Sequence, residues 1–264
     1  MTALVVRSLG RVKASLTALW AVLLAFQLIL VAVAAEFHEA GNFERLTQAL
    51  PAVLQLAVAP ALTSFGNMTM LGYFDILVII SVELWAIFVA SEPAGEVESG
   101  LVDLVLARPV PRNRLVTRSL IAMIVSTLLV SVGMLLGTFV GLLLFAPDGV
   151  AWPSNERLLL LLAHLNAIAW CFGTMALAVS GWARRRGAAI AIVSITALGM
   201  YLVDIAGLWW TRIESLAKLT PVYYFHGGPI IAGTHDSTRD FVVLGGICVV
   251  ATVIAYWRFA RRDL

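Results

Sequence analysis

The chain has 264 residues, of which 61% are apolar and only 13% charged, with a formal net charge of +2. Soluble domains carry about 25% charged residues, and the mean hydropathy of +0.93 points the same way. This composition excludes a disordered tail, a disulfide scaffold and a typical cytosolic enzyme, and it leaves an integral membrane protein.

A hydrocarbon core of about 30 Å takes roughly 20 apolar residues of helix at 1.5 Å each. Six runs meet this need: 14–35, 68–90, 119–146, 158–180, 187–210 and 241–257. Backbone groups in lipid must be satisfied within their own segment, so the runs read as six transmembrane helices. No polar stretch is long enough for a separate core, and residues 1–264 read as one all-α membrane domain.

The first run follows Arg7, Arg11 and Lys13 and closes on Ala32-Val33-Ala34, the outline of a signal peptide. Its apolar core is longer than the roughly 7–15 residues of such a signal, so it reads as an uncleaved span. Residues 49–62 are apolar but broken by Pro51 and Pro60, too short to cross, and belong at an interface.

Pro93 ends the second span, because it lacks a backbone donor and restricts Glu92. A new helical pattern starts near Glu96. Val97, Leu101, Leu104 and Val105 share one face; Glu96, Gly100, Asp103 and Ala107 share the other. Glu96 and Glu98 suit the positive end of the helix dipole and Arg108 the negative end, before Pro109 and Pro111 close the element. Such a helix either lies on the inner leaflet or fills a groove on a protein partner. Its acidic polar face suits the partner at least as well.

The third run carries Gly133, Gly137 and Gly141 at four-residue spacing, which lets helices approach closely. Packing within the subunit is the simpler reading; a seam between subunits is the other. Cys171 and Cys248 both sit in apolar runs, so neither a disulfide nor a metal-thiolate site is expected. Segment 219–225 is aromatic and runs into Gly227-Gly228-Pro229, an interfacial or re-entrant element in which His226 reads as a turn residue.

Basic residues orient the spans. With the N-terminus inside, thirteen of the eighteen lysines and arginines fall inside: Arg7, Arg11, Lys13, Arg108, Arg112, Arg114, Arg118, Arg184, Arg185, Arg186, Arg258, Arg261 and Arg262. Both termini are therefore expected in the cytoplasm, in a plasma or inner membrane. The small net charge hides this asymmetry and says nothing about nucleic acid; the partners expected are membrane lipid and no nucleic acid.

The run from Glu98 through Gly100, Leu104, Val105, Leu106 and Pro109 to Arg112, ending in Arg118, resembles the Glu-x-Gly-x-x-x-x-Leu-Leu-x-x-Pro-x-x-Arg stretch of ABC-2 type transporter permeases. The tail 258–264 and the 219–225 segment resemble the same family, as do six spans with inside termini. The resemblance implies that 96–107 is a coupling helix docking on a separate ATPase subunit. Its docking residues would be Glu96, Val97, Glu98, Gly100, Leu101, Leu104, Val105, Arg108 and Pro109. It also implies a second permease subunit, identical or different, and MgATP on the partner rather than a cofactor in this chain. No phosphate loop contradicts this: Gly95 and Gly100 have Walker spacing, but Leu101 and Val102 stand where Lys and Ser or Thr are needed.

Ionisable groups in a span are costly and usually functional. Asp75, His164 and Asp204 lie at similar depth, roughly 9–11 Å below the outer boundary, and Glu83 about 12 Å deeper than Asp75. They are candidates for a transport path; otherwise each bonds a neighbouring helix. No ligand spacing supports a metal site among them. Enzyme motifs are missing: residues 164–168 are not His-Glu-x-x-His, and no Gly-x-Ser-x-Gly occurs. The expected function is the permease of an ATP-driven ABC-2 type transporter, an exporter, not itself an enzyme. The alternative is a secondary transporter using the intramembrane carboxylates.

Overall fold

The computed structural model describes residues 2–41, 59–99 and 113–261. All regular structure among these residues is helical. The helices are α1 (Thr2–Glu39), α2 (Phe65–Thr69), α3 (Ile76–Ala90), α4 (Glu92–Glu98), α5 (Asn113–Phe145), α6 (Asn155–Ser180), α7 (Arg186–Trp209), α8 (Thr211–Ala217), α9 (Gly227–Ala232) and α10 (Thr238–Arg261). Short 3-10 turns occupy Ala59–Thr63, Leu71–Tyr73 and Val222–Tyr224.

Six segments are long and apolar enough to cross a membrane: most of α1, the stretch Phe65–Ala90, α5, α6, α7 and α10. Their outward faces carry exposed Leu143, Leu144, Ile195, Leu202, Val249 and Val253. That much contiguous apolar surface has no place in water. The chain is a multi-pass membrane protein. The bundle has a basic end, where α1, α5 and α7 begin and α6 and α10 finish, and an opposite end.

Several helices outrun their apolar cores. α1 begins at Thr2 and α5 at Asn113, because hydropathy marks where lipid touches the chain, whereas a helix continues until a breaker or a competing hydrogen bond stops it.

The second span is not one helix. α2 stops at Met70, a 3-10 turn follows, and Asp75 starts α3 afresh as an N-cap, its carboxylate accepting the Leu77 amide at 2.9 Å. The Tyr73 hydroxyl fixes the turn against α5 through Thr138 at 2.6 Å.

α6 is the hub. It packs against α3, α5, α7 and α10, and its polar side chains are spent on neighbours. Asn166 donates to Ser131 at 2.7 Å and the Trp170 indole to Thr127 at 2.9 Å. Cys171 lies 3.5 Å from Cys248 of α10, both as free thiols. Between α6, α7 and α10 runs an apolar groove of about 620 Å³ lined by Met175, Ile192, Ile247 and Val250.

α1 lies along α5, seated on the three glycines. A Cβ at Gly133 would meet the Trp20 ring, at Gly141 the Val31 side chain, and at Gly137 the Leu24 carbonyl oxygen. The glycine row therefore serves packing within the chain.

Candidate functional site

Two polar clusters interrupt the apolar bundle, one at each end. At the basic end, α3 passes through buried Ser91 into α4, where Pro93 occupies the first turn. Proline is tolerated there because that amide needs no intrahelical acceptor. Glu92 and Glu96 stand one turn apart on the inward face, four residues being one helical repeat.

Two arginines from other spans meet these carboxylates. Arg118 of α5 reaches Glu96 at 2.9 Å and Glu92 at 3.5 Å. Arg11 of α1 reaches Glu92 at 3.0 Å and Glu96 at 3.3 Å, and the Ser8 hydroxyl donates to Glu92 at 2.7 Å. Glu96 is 2% exposed and Arg118 4%. Two guanidinium groups balance two carboxylates, the condition under which buried charge is tolerated.

The tie extends to the fifth span. The amide of Arg186 donates to Glu98 at 2.9 Å, and its guanidinium donates to the Phe88 carbonyl at 2.7 Å while sitting 4.0 Å over the Phe88 ring. A cavity of about 330 Å³ opens here, lined by Ser8, Arg11, Glu92, Glu98 and Arg186 among others. α4 is thus fastened to spans one, three and five as well as being continuous with span two.

α4 starts at Glu92, since Pro93 starts a helix as readily as it ends one, and it ends at Glu98 with Ser99 as its C-cap, so it shares only Glu96, Val97 and Glu98 with the helix expected over 96–107. Gly100, Leu101, Leu104, Val105, Arg108 and Pro109 fall outside the described residues. Glu96 faces the bundle in a buried ion lattice. Its partners Arg11 and Arg118, and Glu92 which shares them, escaped the sequence reading, although the Glu92–Glu96 spacing was a visible signal.

At the opposite end, the chain between α7 and α10 folds back over the bundle. The Arg157 guanidinium of α6 donates to the Ile231 carbonyl at 2.6 Å, and Gly233 closes α9 at φ 73°, a conformation glycine adopts without strain. This path brings His226 and His235 onto Asp240. Asp240 sits in the first turn of α10, 3% exposed, where the helix dipole favours an anion.

One oxygen, Asp240 Oδ2, gathers three histidines. His235 Nε2 lies at 2.6 Å, His226 Nδ1 at 3.4 Å and His164 Nε2 at 3.5 Å. His164 is fully buried, packed between Phe225 and Phe241. Beside the cluster, a cavity of about 360 Å³ is lined by Asp204, His226, Tyr223, Phe74 and Pro229.

The four intramembrane candidates separate. His164 faces Asp240, and Asp204 shares the cavity with His226. Asp75 caps α3. Glu83 is buried in mid-span and accepts the Tyr201 hydroxyl of α7 at 2.6 Å. His226, read from sequence as a turn residue, stands at the cluster, and His235 and Asp240 carried no signal in the sequence.

A family model described as ABC-2 family transporter protein matches residues 11–264. The match takes in both clusters except Ser8. No curated protein matches the chain.

Proposed function

Because the chain belongs to the ABC-2 family of transporter proteins, we propose that it is the permease subunit of an ATP-driven exporter, coupled to a separate ATPase through the segment that follows its second span. The observation that supports coupling at this place is the buried lattice of Glu92, Glu96, Arg11 and Arg118. A push on residues 96–107 reaches α4 directly and, through these short charge-assisted bonds, α1 and α5. Displacing any one of these elements alone would strip a partner from a buried charge.

The basic end faces the cytoplasm in this reading, since ten of the basic residues among the described ones gather there and the sequence assigns thirteen of the eighteen to that side. Reporter fusions at Asp148 and after Leu264 should read outside and inside; the same side for both would refute it.

A pull-down of the intact complex from membranes tests the assembly. It should recover an ATPase with a Walker phosphate loop and a second permease subunit, and recovering neither would overturn the proposal. The variants Leu104→Asp and Gly100→Trp localise the contact. The first puts a charge on the apolar face that would fill a partner groove; the second blocks close backbone approach. Each should abolish co-purification of the ATPase while membrane insertion is retained. Normal ATPase recovery in both would move the docking site elsewhere.

A further inference from the structure

We infer that His226, His235 and Asp240, together with His164, form a binding site for a divalent transition ion of the zinc class at the end of the bundle opposite the basic one. The inference is separate from the transport reading and rests on the cluster alone.

His226, His235 and Asp240 each offer one ligand atom, all within 4.8 Å of one another. Imidazole and carboxylate are the ordinary zinc donors. Around a tetrahedral ion with bonds of about 2.0–2.1 Å, neighbouring donors stand about 3.4 Å apart. His226 Nδ1 at 3.4 Å and His164 Nε2 at 3.5 Å from Asp240 Oδ2 already match that edge. His235, at the hydrogen-bond distance of 2.6 Å, must draw back, and His164, which lies outside the group of donors within 4.8 Å of one another, must close on the other two imidazoles.

His164 supplies an independent observation. Its Nδ1 lies 2.9 Å from the Leu160 carbonyl. A carbonyl only accepts, so Nδ1 carries the proton. In the neutral ring Nε2 then directs its lone pair at Asp240, and it is a fully buried atom without a hydrogen-bond partner. A lone pair facing a carboxylate is repulsive unless a cation stands between them. Carbonyl-bound Nδ1–H with a free Nε2 is the arrangement by which proteins orient a metal-binding imidazole.

Three of the chain's four histidines, His38 being the other, converge on this one carboxylate. They come from α6, from the turn before α9 and from the loop before α10. An ion there would pin the fold-back segment to spans four and six. Access is provided by the cavity shared by His226 and Asp204.

The test uses the full chain, purified in nanodiscs through a tag without histidine, stripped with a chelator and titrated with Zn²⁺ and with Co²⁺ as a spectroscopic probe. Wild type should retain one zinc per chain after desalting and give the intense visible absorption of four-coordinate cobalt, bleached by Zn²⁺. His226→Ala and His235→Ala lie on the more open side of the cluster. Each should weaken binding about tenfold or more, since removing a ligand costs no less than disturbing the groups that orient one; His38→Ala should bind as wild type. Wild type that retains no zinc and shows no cobalt band overturns the site and leaves a proton as what separates His164 from Asp240. Binding that is unchanged in the His226→Ala, His235→Ala double variant also overturns it.

Discussion

Arg118→Ala should destabilise the bundle by about 3–5 kcal/mol, the usual cost of leaving a buried charge without its partner. Arg118, like Arg11, bridges Glu92 and Glu96, and the side chains of Arg118 and both carboxylates are largely removed from solvent. Without it, two carboxylates one helical turn apart keep only Arg11, whose side chain is 37% exposed and screened accordingly. The apparent unfolding temperature in detergent should fall by on the order of 10 °C. Arg118→Lys should recover only part of the loss, because an ammonium cannot span two carboxylates as a planar guanidinium does. Adding Glu96→Gln to Arg118→Ala should restore stability relative to the single variant, the sign of a direct coupling. A single variant as stable as wild type would show that α4 is held by packing alone.

Gly137→Leu should prevent α1 from docking, and with it the recovery of monodisperse protein. The obstacle is backbone: even a Cβ at this position overlaps the carbonyl oxygen of Leu24, and a helix carbonyl cannot swing aside as a side chain can. Gly137→Ala should cost about 2–3 kcal/mol, within the range of overpacking. Gly199→Ala is the internal comparison. Nothing lies within 4 Å of its Cβ position, so the change should be neutral or slightly stabilising through helix propensity. Fluorescence-detected size exclusion after heating separates these outcomes. Equal stability of Gly137→Ala and Gly199→Ala would mean that the α1–α5 seam is looser than the structure describes.

The number and order of the spans were legible because lipid imposes one rule on every segment, and six apolar runs of bilayer length obey it. The break in the second span was less so. Asp75 looked like a charge adrift in a long apolar run, yet Asp before such a run is also the mark of an N-cap, and the cap is what the structure shows. The ion lattice was half visible, in the four-residue spacing of Glu92 and Glu96. Arg11 and Arg118 come from other spans, and only the folded bundle brings them alongside. The histidine cluster was hidden for the same reason. His164 and Asp240 are 76 positions apart, and His226 reads as a turn residue until the chain doubles back. The apposition of Cys171 and Cys248 was likewise invisible in two isolated apolar runs.

The interrupted second span has a mechanical consequence. α3 contains 15 residues and rises about 22 Å, short of the roughly 30 Å hydrocarbon core. The rest of the crossing is made by a 3-10 turn and a five-residue helix, with Phe74 at the wall of the cavity beside Asp204. Irregular backbone at this depth survives only where protein or a cavity shelters it. Bending a continuous helix breaks several consecutive hydrogen bonds, whereas a span already parted at Asp75 gives way there first. Span two is therefore built as two rods with a hinge pin between them: one rod continues into α4 and the ion lattice, and the pin itself is held against α5 through Tyr73, beside the far cavity.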